Sequence, residues 1–358
     1  MALSRARIGG DLLLRLLATQ RSLRVTAQLK TPVILSFHET QKCFLSSKTK
    51  PGIARTIVTK LKSANQRYER FLEGNFPRFY ILYTTFFRGF QLLFRDAREF
   101  QRIQVKLAKQ GVRRDQLPYR EMELLRQFRR DIIKVAPLVL ISIPPFANYF
   151  VFVLMYFFPR QVLIRHFWTP KQQTEFANIY HGRRAQVYPL IMNKLVSSVP
   201  AITNSRLQTQ MLHLCNKVQG GMHPSVEEIQ GVRQLFTGPP FGMKRLQAEH
   251  MRNLSPVLML TSMLPAMLLQ RRLARHSIEL LQLDRALWAL GLHQLTDQEL
   301  RNACYLRGLN ATCLNTNDCR EWLHHWLQLT VTLKDSEASL LLHSMVLLSV
   351  NYPEGLHR

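Results

Sequence analysis

Residues 135–158 read Val-Ala-Pro-Leu-Val-Leu-Ile-Ser-Ile-Pro-Pro-Phe-Ala-Asn-Tyr-Phe-Val-Phe-Val-Leu-Met-Tyr-Phe-Phe, 24 residues without a charge, bracketed by Lys134 and Arg160. As one helix this stretch runs about 36 Å, enough to cross a hydrocarbon core of about 30 Å with some tilt. The reading adopted is a single transmembrane helix from Val135 to Phe158; a re-entrant hairpin and a buried core helix are the alternatives. Pro144 and Pro145 remove two backbone donors at mid-depth, so a kink is expected there, and the freed carbonyls call for a partner helix, water or the Asn148 amide. Orientation does not follow from charge, because residues 111–134 carry seven basic and four acidic side chains and residues 159–184 carry five and one, flanks the positive-inside rule does not separate. A carboxylate beside lipid is costly unless paired. Asp131 is therefore expected in a juxtamembrane ion pair with Arg129, Arg130 or Lys134 rather than in a proton relay.

Outward from this stretch the chain is basic. Its 358 residues hold 49 Lys and Arg against 23 Asp and Glu, a net charge of +26, which points to an anionic partner. With 46% hydrophobic residues, the chain is too apolar for a disordered polyelectrolyte. Residues 1–62 carry 12 basic and 2 acidic residues. Arg5, Arg7, Arg15, Arg21 and Arg24 surround a leucine-rich run that Arg15 interrupts, which suits a mitochondrial presequence better than a secretory signal; a basic tail that binds nucleic acid is the alternative. Residues 63–110 form a basic aromatic segment, with Phe79, Tyr83, Phe86, Phe90 and Phe94 at helical spacing among Arg78, Arg88, Arg95 and Arg98. Such a helix suits either the lipid headgroup layer or the core of a soluble bundle.

After the apolar stretch, helix-start signals recur without strand-like alternation: Thr169-Pro170, Ser225 with Glu228, and Thr296 with Glu299. Gly220-Gly221, Gly238-Pro239-Pro240 and Gly291 punctuate the segment as loops or C-caps. Trp322, Trp326 and Leu329 share one helical face, and Leu340, Leu341, Leu342, Met345 and Leu348 make another apolar helix, both read as core. The fold class expected is all-α, with residues 160–350 as a helical domain, 111–134 as its juxtamembrane start and 351–358 as a tail.

The residues that catalysis or metal binding would need are scattered. No GxGxxG, Walker A or GxSxG string occurs, and no nucleophile pairs with a base in sequence, so the chain is expected not to be an enzyme and to hold no cofactor. His213 with Cys215, Cys313 with Cys319, and His324-His325 lack zinc-site spacing, so no metal is expected. Five Cys in a long chain suit a reducing compartment better than a disulfide framework.

Residue strings on both sides of the apolar stretch resemble one family. Leu117-Pro118-Tyr119-Arg120-Glu121, Phe128-Arg129-Arg130-Asp131 and the proline-interrupted stretch ending Phe157-Phe158-Pro159 are similar to the entry into the LETM domain, named for the leucine-zipper and EF-hand-containing transmembrane protein. Leu295-Thr296, Glu299-Leu300, Ala303-Cys304, Arg307-Gly308, Trp326-Leu327 and Ser339-Leu340-Leu341-Leu342 resemble its closing helices, and the short length is like that of the short vertebrate mitochondrial members. The resemblance covers about residues 110–350. It implies a mitochondrial inner-membrane protein with a matrix-facing, fourteen-three-three-like ribosome-binding-like domain and roles in mitochondrial structure and respiration. The partners implied are membrane lipids and the mitochondrial ribosome, through its RNA or proteins, with no small-molecule substrate. Arg301 and Arg307 are the basic residues inside the matching motif; for Arg307 an internal ion pair before Gly308 is the competing reading. The family's other proposed activity is proton-coupled potassium or calcium exchange, which one kinked span would support only as a homo-oligomer or with a partner. The long members' coiled coils and EF-hand are not expected in this sequence, and Asn315-Thr316-Asn317-Asp318 lacks the EF-hand pattern.

Overall fold

Short polar signals start the helices. Thr169, Ser225 and Thr296 each cap a helix, accepting from the backbone N–H three residues on while Gln172, Glu228 and Glu299 reach back to the cap's own N–H. Each reciprocal pair satisfies two backbone donors that the first turn leaves without partners. The computed structural model describes residues 74, 77–111, 113–141, 158, 160 and 163–352. Among them run eleven α-helices: α1 Pro77–Gln110, α2 Tyr119–Ile141, α3 Pro170–Ala185, α4 Tyr188–Ser198, α5 Ser205–Gln219, α6 Val226–Gly231, α7 Ala248–Leu254, α8 Ala266–Leu290, α9 Asp297–Leu306, α10 Thr316–Thr330 and α11 Ala338–Leu347. The described residues contain no strand, so the all-α expectation holds for them.

The described residues divide into two compact units, one within residues 1–93 and 132–167, the other within residues 94–131 and 168–358. In the first, the Phe90 and Phe167 rings meet edge to face at 5.2 Å, and Gly89 leaves the room that the Phe167 ring fills. Phe90 is about half exposed.

The second unit is built around α11. Every residue of this helix from Ala338 to Leu347 is buried, as expected of a helix apolar on all sides. Trp322, Trp326 and Leu329 on α10 point into the same core, as do Leu280, Leu281, Leu283 and Leu287 of α8. Gly308, which follows α9, has φ +117°, and a Cβ there would stand 2.8 Å from the Met345 carbonyl oxygen. Only glycine lets the turn approach α11 this closely. Of the residues that lead into α2, Tyr119 packs in this core, while Leu117 and Leu125 form a second buried cluster with Ile103 of α1, and Lys106 of α1 pairs with Glu121 of α2 at 3.1 Å.

The expected transmembrane helix is not displayed. Among the described residues no helix is long and apolar enough to cross a membrane. The helix that enters the apolar stretch, α2, begins at Tyr119 and carries YREMELLRQFRRDIIK before Val135, so most of its length is a charged domain helix. Pro144, Pro145 and Asn148 lie outside the described residues, as does the basic segment 1–62, and Phe158 is half exposed.

Candidate functional site

The helix α8 places an acid where its apolar stripe should continue. Asp284 stands among Leu280, Leu281, Leu283 and Leu287 and is fully buried. A carboxylate there needs compensation, because losing water costs several kcal/mol on the order of the desolvation of one ion. Arg307, the C-cap of α9 and equally inaccessible, supplies it: Nε donates to Asp284 Oδ1 at 2.8 Å and Nη1 donates to the Ala303 carbonyl at 2.8 Å. The Trp326 indole of α10 donates to the other oxygen, Oδ2, at 2.8 Å. Burial pushes the Tyr119 hydroxyl up to about 12 against the pull of neighbouring Arg307. One buried carboxylate thus fixes α8, α9 and α10 together, beside the start of α2.

Arg307 is therefore a core residue, the internal ion pair weighed above, and is not available on the surface. Arg301 is partly buried, and its Nη1 donates to the carbonyls of Ala311 and Leu314. That side chain holds the turn between α9 and α10. Arg129 extends from α2 to Glu279 of α8 at 3.3 Å. Burial pushes the Glu279 carboxyl up, but His276, Arg129 and Arg126 outweigh it and hold the group at about 2. Asp131 is buried at 8% exposure. The four charges read as one juxtamembrane cluster thus include a member, Arg129, whose partner lies 150 residues away on a domain helix.

Outside the buried knot, the end of α8 and the outer face of α10 border a cleft of about 640 Å³, lined among others by Trp288, His293, Arg320, Glu321 and His324. Trp288 is 46% exposed, unusual for so large an apolar ring. Its ring lies nearly parallel to that of His324, at 23° and 6.0 Å between centroids. Gln328 Nε2 holds the His324 Nε2 at 3.0 Å. Arg320 Nη1 donates to Asn317 Oδ1 at 3.4 Å, while its buried Nε has no partner among the described residues. A half-exposed flat ring, a guanidinium and two imidazoles can stack on a planar group and bond to anionic oxygen. Sequence reading missed this cleft because Trp288 and His324 are 36 residues apart, on separate helices. Asp284 did leave a trace, as the lone acid on an apolar stripe.

The metal-like groupings stay apart. Cys215 is buried while His213 on the same helix is exposed, Cys319 is buried while Cys313 is exposed, and the His324 and His325 rings are both exposed with centroids 6.3 Å apart. Among the described residues no three His, Cys, Asp or Glu side chains form a group that could hold a metal ion.

Known proteins match this architecture in sequence. The family model described as "LETM1-like, RBD" covers residues 117–347, the span from the start of α2 to the end of α11. LETM1 domain-containing protein 1 of Xenopus tropicalis is 56% identical over 317 residues, covering 88% of this chain and 90% of that protein. The Homo sapiens protein of the same name is 52% identical over 296 residues, with 83% and 82% covered. The buried Asp284–Arg307–Trp326 knot, the capped helices and the apolar α11 all fall inside the matched span, and the chain belongs to the LETM1-like, RBD family.

Proposed function

We propose that this chain is a mitochondrial inner-membrane protein whose basic helical domain docks the mitochondrial ribosome from the matrix side and so supports mitochondrial structure and respiratory function. The observation that carries the reading is the exposed cleft of Trp288, Arg320 and His324 on a domain with excess positive charge. Residues 160–358 hold 21 basic and 13 acidic side chains. Glu228, Glu279, Asp284, Glu299, Asp335 and Glu337 are engaged by Lys217, Arg129, Arg307, Arg120, Arg285 and Arg233. Cations such as Arg252, Arg271 and Arg275 remain exposed. An aromatic platform on a domain of net positive charge suits ribosomal RNA, where bases stack and phosphates release counterions. The arginine-rich start of the chain and the uncharged stretch from Val135 to Phe158 support the mitochondrial membrane placement.

Mitochondria carrying the chain with a C-terminal epitope test this directly. The epitope should resist protease in intact and in swollen mitochondria, and should co-fractionate with ribosomes after mild detergent. Cleavage in swollen mitochondria, or complete separation from ribosomes at low salt, would overturn the reading.

A further inference from the structure

The second unit contains a pocket away from the Trp288 cleft, and one of its walls is His250, half of a buried histidine pair. His250 of α7 and His343 of α11 approach through their Nε2 atoms at 2.8 Å, and His343 Nδ1 lies 2.7 Å from the Ser339 carbonyl oxygen. That carbonyl only accepts, so His343 carries its proton on Nδ1 and its Nε2 is a bare acceptor. His250 Nε2 must then carry the proton that lies between the rings. This leaves His250 Nδ1 as an acceptor, buried and without a donor among the described residues, in a residue that is 3% exposed. Burial holds both rings low, His250 at about 3 with His343 and Lys194 adding to the effect, and His343 at about 4, so both are neutral. Buried polar atoms of this kind ordinarily find a partner.

His250 lines a pocket of about 370 Å³, toward the small end of the range typical of small-molecule sites. Lys194 and Ser198 come from the end of α4, Pro240 and Phe241 from the loop after α6, and Arg245 from the segment leading into α7. Among the described residues two cations and no Asp or Glu line it, and neither Lys194 nor Arg245 enters an ion pair. The walls thus offer positive charge and an apolar side, and they include His250, the ring that carries the unmet acceptor.

We propose that this pocket binds a small hydroxylated anion, its carboxylate or phosphate held by Lys194 and Arg245 and a hydroxyl donating to His250 Nδ1. A plain anion satisfies the cations but leaves the buried acceptor unmet. The site is independent of ribosome docking, since it uses none of the residues of the Trp288 cleft.

Calorimetric titration of the purified full chain with two matched pairs tests it: L-malate against succinate, which lacks the hydroxyl, and glycerol 3-phosphate against propyl phosphate. At least one hydroxylated member should bind, the pair concerned showing whether the anion is a carboxylate or a phosphate. Its partner should bind about tenfold or more weakly, the order of magnitude for leaving a buried acceptor without its donor. Lys194→Met with Arg245→Gln should abolish binding without changing the melting temperature. No binding by either hydroxylated anion at millimolar concentration, equal binding within a pair, or full binding by the double variant would each overturn the proposal. The matched pairs do so on the unaltered chain, whether or not a variant folds.

Discussion

Asp284 and Arg307 form an ion pair that solvent does not reach, each side chain wholly inaccessible and joined Nε to Oδ1 at 2.8 Å. Asp284→Ala leaves the Arg307 charge buried and unpaired, and should cost about 3–5 kcal/mol. Asp284→Leu with Arg307→Met should recover much of that, short of about 1–3 kcal/mol for the Trp326 indole N–H left without its acceptor. Denaturant unfolding midpoints of the three proteins measure both quantities. A single variant as stable as the parent would remove the knot from the account of the fold.

Gly308 is the second point where one atom decides the packing. With φ at +117° and the Met345 carbonyl where a Cβ would go, Gly308→Ala should cost about 1–3 kcal/mol. The Tyr188 hydroxyl donates to the Gly308 carbonyl at 3.1 Å, so the strain should also expose Tyr188, visible as a shift in tyrosine absorbance. Unchanged stability would mean that the turn has room to move.

Three buried histidines give the domain an acid limit. Burial lowers His181 to about 4, with Arg184 adding to the effect, and lowers His250 to about 3 and His343 to about 4. Each folded value lies below the unfolded value of about 6.5, so between the two the unfolded chain binds more protons and stability falls as pH falls. The contribution is complete above about pH 6.5. By pH 5 the loss should be on the order of 2 kcal/mol per histidine. Melting temperatures measured from pH 7.5 down to 5 should drop, and His181→Phe should flatten the slope. A flat profile would contradict neutral burial.

The uncharged stretch has its own test. Ile141, the last residue of α2, lies seven residues into it, and Ile141→Arg should oppose membrane insertion by up to about 2.5–3.5 kcal/mol. The unaltered protein should stay in the pellet after alkaline carbonate treatment, and the variant should be released in larger amount. Release of the unaltered protein like a matrix enzyme would end the membrane reading.

What could be read from the sequence was local. Thr169, Ser225 and Thr296 announce helix starts because a cap and its partner are three residues apart, and α11 announces its burial by being apolar on every side. Relations between helices were not legible. Arg307 reads as either a partner-facing cation or half of an internal ion pair, and its partner Asp284, 23 residues earlier, is named only by the fold; Arg129 reads as a neighbour of Asp131 until Glu279 is found opposite. The Trp288 cleft escapes for the same reason, since period and spacing describe one helix at a time while the cleft belongs to two.

Ribosome docking through the cleft is tested most directly by sedimentation of the full chain with mitochondrial ribosomes, comparing it with Trp288→Ala combined with Arg320→Gln. Neither residue belongs to the Asp284 knot, so melting temperatures should agree. The parent should co-sediment at low salt and dissociate steeply as salt rises; the variant should bind at least tenfold more weakly, about 1–3 kcal/mol for one lost stacking contact, with a log–log salt slope shallower by about 0.7–0.9 if Arg320 meets a phosphate. Equal sedimentation of parent and variant at every salt concentration would contradict the cleft as the docking surface.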